Sequence, residues 1–398
     1  MKKYCFDEMI ERRGTDCLKY DCLDRYFGKK DLMPFWVADM DFRTPDFIVD
    51  ALKERCEHPV FGYTFPSDAY GESIRRWVDA LYGWDIRSEW LSFIPGVVKG
   101  IALALECFTR PGDGVIIQPP VYHPFRIVPE SLRRRVVYNP LRLRDGVYEM
   151  DFEQLESVID RGCRALILSS PHNPAGIVWK KETLQKLAEV CRRRRLLVIA
   201  DEIHAEMVYP SFTHHPFPTV SSEAADCSIT FMAPSKTFNI AGIVSSYAIV
   251  PDDVLRSTFY AFLKAGEFHE GTIFSYIAAT AAYTHGAEWR RQMLDYVRGN
   301  MSLVDTFLGE YLPQIKLYPP QASFLAWLDC RELGLSQQEL VRLIVDEAGL
   351  AFNNGTTFGK EGTGYVRMNV GCPRSLVGKA LYALKQAVEN HKRRERVE

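Results

Sequence analysis

Two nearly continuous apolar runs, Ala165-Leu166-Ile167-Leu168 and Leu196-Leu197-Val198-Ile199-Ala200, enclose a helical pattern with Leu184, Leu187, Ala188 and Cys191 on one face. A strand that is apolar on both faces must be covered on both, and the order strand, helix, strand supplies that cover by laying helices across a parallel sheet. Val115-Ile116-Ile117 and Val136-Val137-Tyr138 read as strands before this pair, and Ile229-Thr230-Phe231-Met232 and Ser245 to Val250 as strands after it. The expected architecture is α/β, a mostly parallel sheet flanked by helices. In such sheets ligands bind beyond the carboxyl ends of the strands, so the residues that follow each run are where chemistry is to be sought.

Those residues are polar. After Leu168 come Ser169-Ser170-Pro171-His172-Asn173-Pro174-Ala175-Gly176, after Ala200 come Asp201-Glu202-Ile203-His204, and after Met232 come Ala233-Pro234-Ser235-Lys236. Three runs thus deliver an amide, a carboxylate and an amine to one sheet edge. Taken singly, Asn173-Pro174 is also a turn pair, Asp201 a helix cap and His204 a core histidine. Lys236 has the least ordinary position, at a strand end instead of on open surface. Desolvation there lowers an amine's pKa and leaves it able to attack a carbonyl and form a Schiff base, whereas a solvated lysine in a surface turn would do neither.

Upstream, Gly62-Tyr63-Thr64-Phe65-Pro66 forms a loop before Ser67, an N-cap for a helix with Tyr70, Ile74, Trp77, Val78 and Leu81 on one face. Pro95-Gly96-Val97-Val98 opens a second helix through Ile101, Ala102, Leu105 and Phe108. A glycine turn at a helix start leaves backbone N–H groups that, with the helix dipole, favour a phosphate, although glycine also serves plain turns. Residues 1 to 45 show little periodicity and carry the aromatic, acidic stretch Pro34-Phe35-Trp36-Val37-Ala38-Asp39-Met40-Asp41-Phe42. Beyond Lys236, helices are expected over 253 to 264, 272 to 285 and Trp289 to Tyr311. A compact α+β unit then follows, with strands near Phe324 to Leu328 and Tyr365 to Val370 and helices near 336 to 348 and 374 to 391. In that last strand a period of two puts Tyr365, Arg367 and Asn369 on one face. The planar Arg367 guanidinium suits bidentate capture of a carboxylate, and the same alternation suits a solvated sheet face. The expected division is an N-terminal segment, 1–45, packing with the small domain; a large domain, 46–288; and a small C-terminal domain, 289–398.

With 398 residues the chain exceeds one typical core, and its formal net charge of -2 gives no global reason to bind nucleic acid or an anionic membrane. The run Arg192 to Arg195 closes a helical pattern, where cations suit the dipole. Ten cysteines lie scattered with no C-x-x-C pair or cysteine-histidine ladder, so no metal is expected and a reducing compartment is. The N-terminus lacks an apolar core of signal-peptide type, and no uncharged apolar run is long enough to span a membrane; a cytoplasmic location is expected.

Taken in order, Pro95-Gly96-Val97-Val98, Ser170 to Gly176, Asp201-Glu202-Ile203-His204, Ser235-Lys236-Thr237-Phe238-Asn239 and Arg367-Met368-Asn369 resemble the fold-type I pyridoxal-phosphate enzymes of the class I/II aminotransferase superfamily. Trp36 to Phe42, the Asp-Glu-Ile-His run and Asn369-Val370-Gly371-Cys372-Pro373-Arg374 look most like its cystathionine β-lyase branch, the MalY/PatB-type carbon-sulfur lyases. The resemblance implies a seven-stranded large-domain sheet with a smaller α+β domain and pyridoxal 5'-phosphate as cofactor. It implies that Lys236 holds the cofactor and moves the Cα proton, that Asp201 pairs with the pyridinium nitrogen and that Tyr122 stacks on the ring. Asn173 and His204 would lie near the phenolic oxygen or the substrate carboxylate. Gly96, Val97, Val98 and Ser235 would hold the phosphate, with Tyr63 from the neighbouring subunit of a homodimer whose sites lie at the interface. Arg367 would bind the α-carboxylate of an amino-acid substrate, with Trp36 and Ala38 also at the substrate.

One departure is informative: many aminotransferases of the superfamily carry a phosphate-binding arginine in a Gly-x-Arg arrangement after the lysine, where this chain has Gly242-Ile243-Val244. The lyase branch commonly lacks it too. The implied reaction is β-elimination from L-cystathionine or a related S-substituted L-cysteine. The alternatives are an aminotransferase, which uses the same carbanion, and a non-catalytic cofactor-binding regulator. The last is disfavoured because the segment before Trp36 is too short and irregular for a DNA-binding domain.

Overall fold

The apolar runs form the centre of a seven-stranded sheet. In the computed structural model, which describes residues 2–395, its strands are β1 (Leu91–Ile94), β2 (Gly114–Ile117), β3 (Arg135–Tyr138), β4 (Cys163–Ser169), β5 (Leu197–Asp201), β6 (Ser228–Met232) and β7 (Ser246–Ile249). The extreme ends of the expected 1–45 and 289–398 segments lie outside the described residues. The spatial order is β1-β7-β6-β5-β4-β2-β3. β3, β2, β4, β5 and β6 are parallel neighbours, and β7 runs antiparallel to both β6 and β1. β5 and β6 are buried at every residue, as strands covered on both faces must be.

Helices α1 (Asp46–Glu57), α2 (Asp68–Tyr82), α3 (Val97–Phe108), α4 (Lys181–Arg194), α5 (Asp253–Ala265) and α6 (Ile273–His285) accompany them, and α7 (Ala287–Tyr311) follows in the chain. The Ser67 hydroxyl accepts from the Tyr70 N–H to start α2, and Gly83 at φ +63 ends it. α3 lies close on the sheet: a Cβ on Gly100 would come 2.5 Å from Ile94 Cδ1 and 3.1 Å from Phe231. Val97, Ile101 and Leu105 of α3 share one core with Val115, Ile167, Ile199 and Phe231. α1 left no readable pattern because Ile48 is its one fully buried residue.

The chain divides into two compact units, one of Met1–Arg43, Pro174–Gly176 and Arg291–Glu398 and the other of Thr44–Asn173 and Ile177–Arg290. The first holds a four-stranded antiparallel sheet in the order β8 (Lys316–Leu317), β9 (Leu325–Asp329), β11 (Tyr365–Asn369), β10 (Asn353–Asn354). The expected helix near 336 to 348 is α-helical only over Gln337–Arg342, after a Ser336/Glu339 capping box, and widens into a π-helical turn at Leu343–Glu347. The aperiodic N-terminal stretch contributes two short helices, Leu18–Asp21 and Leu23–Phe27, and a pairing of Met33–Pro34 with Leu350–Ala351. No described helix is long and apolar enough to cross a membrane.

Candidate active site

Strand register sets the first part of the site. Ser169 at the end of β4 pairs with Asp201 at the end of β5, which pairs with Phe231 of β6. The chain leaving β4 is tied back to this edge. Ser170 N–H donates to Asp201 O at 3.0 Å, Asn173 N–H to Ser169 Oγ at 3.1 Å, and Tyr122 N–H to Asn173 O at 3.1 Å. Tyr122, Asn173 and Asp201 are therefore joined through a few hydrogen bonds, although they come from three crossovers. His172, within the same turn, is a buried imidazole held neutral by desolvation, its pKa lowered to about 3.

Asp201 and Glu202 are adjacent carboxylates with different tasks. Glu202 Oε1 accepts from Phe217 N–H at 2.7 Å and Oε2 meets His214 Nε2 at 2.8 Å, which anchors the segment after β5. Asp201 Oδ1 accepts from the Ile203 N–H at 3.1 Å. Burial pushes its carboxyl up to about 7, against the pull of that N–H and of the Lys236 charge. A buried carboxylate so placed favours a cationic partner. Lys236 itself is half-buried, not fully buried as its strand-end address suggested. It stands in the turn four residues past the end of β6 rather than on the strand.

The second part is the start of α3. Gly96 takes φ +114 and caps the helix with no side-chain hydrogen bond, so the first backbone N–H groups, at Val97 and Val98, have no capping side chain. That conformation favours glycine, and a helix start of this kind receives anions. Val244 Cγ1 lies 3.8 Å from where a Gly96 Cβ would stand, so an apolar side chain borders the helix start on the side of the missing arginine. Ser235 and His204 are buried polar residues of the same unit, and Tyr63 is fully exposed on its loop, at 107 %.

The remaining expected residues belong to the other unit. Arg367 is 4 % exposed, not solvated. Its Nη2 donates to Trp36 O at 3.0 Å and Asn353 Oδ1 at 2.7 Å, and its guanidinium lies 4.9 Å from the Phe358 ring centre. Asn369, two residues on, donates from Nδ2 to Val37 O and Asp39 O, each at 2.6 Å, on either side of Ala38. Trp36, Ala38 and Arg367 are thus gathered along one strand face. Two groups of residues were missed from sequence. One is the buried carboxyl of Glu206, which accepts the Tyr283 hydroxyl; the other is an ionic cluster of Arg12, Lys19, Asp39 and Asp41. The acidic pair in Asp39-Met40-Asp41 was the one available hint.

These groups fit pyridoxal phosphate: a helix start for an anionic group, a buried carboxylate to accept from a protonated ring nitrogen, and an amine beside it. The family model for aminotransferases of class I and II matches residues 30–384. The chain belongs to that family. It is 40% identical over 384 residues to the cystathionine beta-lyase PatB of Bacillus subtilis strain 168, covering 96% of this chain and 99% of that protein. Cystalysin from Treponema denticola, whose crystal structure contains a pyridoxal 5'-phosphate cofactor, matches with a TM-score of 0.94 at 33% identity, covering 98% of this chain and 100% of that one. The PLP-bound C-S lyase from Staphylococcus hominis matches with a TM-score of 0.90 at 30% identity, covering 97% and 98%. The PLP-dependent transferase fold is shared with these structures.

Proposed function

We propose that this protein is a pyridoxal-phosphate-dependent carbon-sulfur β-lyase that cleaves L-cystathionine or related S-substituted L-cysteines to pyruvate, ammonia and a thiol. When bound, the cofactor supplies an electron sink conjugated to the substrate Cα. Lys236 would hold it through the ε-amine, and the same amine would accept the Cα proton of the substrate. Asp201 would hold the ring nitrogen in its protonated form, a cation that suits a buried carboxylate. The N–H groups of Gly96, Val97 and Val98 and the Ser235 hydroxyl would hold the phosphate, and Tyr122 would stack on the ring. Asn173 and His204 orient the phenolic oxygen or the substrate carboxylate. Arg367 receives the α-carboxylate, with Trp36 and Ala38 bordering the substrate. Loss of the proton from Cα and of thiolate from Cβ frees aminoacrylate, which water hydrolyses to pyruvate and ammonia.

The observation that carries the reading is Asp201, a buried carboxyl with a raised pKa and Lys236 as its nearby cation. The full-length likeness to PatB supports elimination over amino transfer, as does Val244 at the position of the missing arginine. A homodimer is part of the proposal, with Tyr63 reaching the partner's phosphate. Its support is the exposed apolar loop of Val60, Phe61, Tyr63 and Phe65. The ten unpaired cysteines support a reducing, cytoplasmic setting. The test is pyruvate release from L-cystathionine by purified holoenzyme without added keto acid. No pyruvate, together with nitrogen exchange between an amino donor and a keto acid, would replace the lyase reading with an aminotransferase.

A further inference from the structure

The stretch Trp36–Asp41 is gripped from two sides. On one side is strand β11 and the turn after it: Arg367 Nη2 donates to Trp36 O at 3.0 Å, Asn369 Nδ2 to Val37 O and Asp39 O at 2.6 Å, and Asp41 N–H to Gly371 O at 2.8 Å. On the other side is a four-charge cluster. Lys19 Nζ lies 2.8 Å from Asp41 Oδ2 and 3.5 Å from Asp39 O. Arg12 reaches Asp41 Oδ1 at 2.6 Å, Asp39 Oδ2 at 2.7 Å and Met40 O at 3.2 Å. Lys19 also accepts the Trp36 indole N–H on its own carbonyl at 2.9 Å, so one residue ties both ends of the stretch.

The placement is costly for mere stability. Lys19 is 0 % and Asp41 5 % exposed, and desolvating two charges offsets most of what their attraction returns, so apolar residues would hold a fold together as well. What an ionic cluster adds is direction. Two cations and two carboxylates, neutral in sum, fix the carbonyls of a six-residue stretch that has no regular hydrogen-bond ladder of its own. The carbonyl at its start is the one that accepts from Arg367.

We infer that Lys19 and Arg12 are positioning residues for substrate recognition: they lock Trp36–Asp41 so that the Trp36 carbonyl presets the Arg367 guanidinium for the substrate α-carboxylate. The inference rests on the reading of Arg367 as the carboxylate clamp. Preset donors bind without a reorganisation cost, and loosening their support lowers affinity without touching the reacting groups. Removing the Lys19 charge leaves Asp41 to Arg12 alone, frees Asp39 O, and lets Trp36 O drift from Arg367.

The experiment measures pyruvate release from L-cystathionine by holoenzyme carrying Lys19→Met, Arg367→Leu and both. Lys19→Met is expected to raise KM about tenfold, near the lower end of what a hydrogen bond to a charged group contributes, with kcat within about threefold. Arg367→Leu should lower kcat/KM more, and the double variant should be no worse than Arg367→Leu alone, because the cluster acts through that arginine. A purely structural role would instead lower kcat through loss of active enzyme and would multiply with Arg367→Leu. If Arg367→Leu leaves kcat/KM unchanged, the clamp reading fails and the inference with it. If Arg367→Leu is damaging but Lys19→Met leaves KM within twofold, or the two effects multiply, the inference fails alone. Arg12→Met, at the more exposed edge of the cluster, gives the same comparison should Lys19→Met not yield folded protein.

Discussion

Glu206 provides a test of how the turn that carries Lys236 is held. Its carboxyl accepts the Tyr283 hydroxyl at 2.8 Å, lies beside the Thr237 hydroxyl and the Trp77 indole, and faces the charge of Arg290. Thr237 follows Lys236 directly, so this buried node adjoins the base of the lysine turn. Burial outweighs these partners and pushes the carboxyl from 4.5 up to about 7. At ~1.36 kcal/mol per pH unit, that interval corresponds to about 3 kcal/mol. The folded protein holds this proton more tightly than the unfolded chain does, so folding is favoured most below pH 4.5 and loses stability as pH rises to about 7. Above that the charged form carries the whole penalty.

Glu206→Gln removes the titration at nearly constant volume. The amide oxygen can still accept from Tyr283, so at low pH, where the Glu206 carboxyl is protonated, the two proteins should differ by no more than about 1 kcal/mol. The variant should therefore lie close to wild type at pH 5 and be more stable at pH 8, with the difference between the two proteins changing by roughly 2 to 3 kcal/mol across that range. Paired urea denaturation of the two holoproteins at pH 5, 6, 7 and 8 measures this through the midpoints. Asp201, pushed to a similar value, is present in both proteins and cancels in the difference. Parallel midpoint curves would show that Glu206 does not change protonation within the folded state and would refute the reasoning.

Lys236→Ala should abolish both turnover and the visible absorbance of the lysine-bound cofactor, and retention of both would show that another lysine holds it. Asp201→Asn, nearly isosteric, should lower kcat by roughly 10²- to 10³-fold, the scale of losing one preorganised electrostatic contact, while pyridoxal phosphate still binds by fluorescence titration; an unchanged kcat would remove Asp201 from the ring nitrogen. Val244→Arg sets a guanidinium beside the start of α3 and should tighten cofactor retention in dialysis by up to roughly tenfold. No gain would mean that the phosphate does not sit at that helix start.

The parts of the fold legible in sequence are those encoded over short spans. The runs Ala165–Leu168 and Leu196–Ala200 became central parallel strands because an apolar run of that length has few alternatives. The Ser67 cap and the Gly96 helix start are likewise local. Strand β1 and helix α1 were not read: β1 has only Phe93 and Ile94 buried, and α1 buries a single residue, so neither shows a period. The π-helical turn at Leu343–Glu347 was read as ordinary helix, since one widened turn hardly disturbs the apolar spacing.

The site divides along the same line. Asn173, Asp201 and Lys236 each follow an apolar run, so their common edge follows from sheet topology without any knowledge of their contacts. The groups that orient them are joined across distances that no local pattern encodes: Lys19 to Asp41 over 22 positions, Arg12 to Asp41 over 29, Glu206 to Tyr283 over 77 and Arg367 to Trp36 over 331. A titratable residue's type announces what chemistry it can do, whereas its role in holding another residue depends on which segments fold together. Glu206 illustrates the difference. In sequence it is one more acid after Asp-Glu-Ile-His-Ala, and only the packing of α2, α6 and the Lys236 turn around it turns that acid into a buried carboxyl with a raised pKa. For this chain, the residues proposed to make and break bonds were accessible to sequence reading, and the residues that set their geometry required the fold.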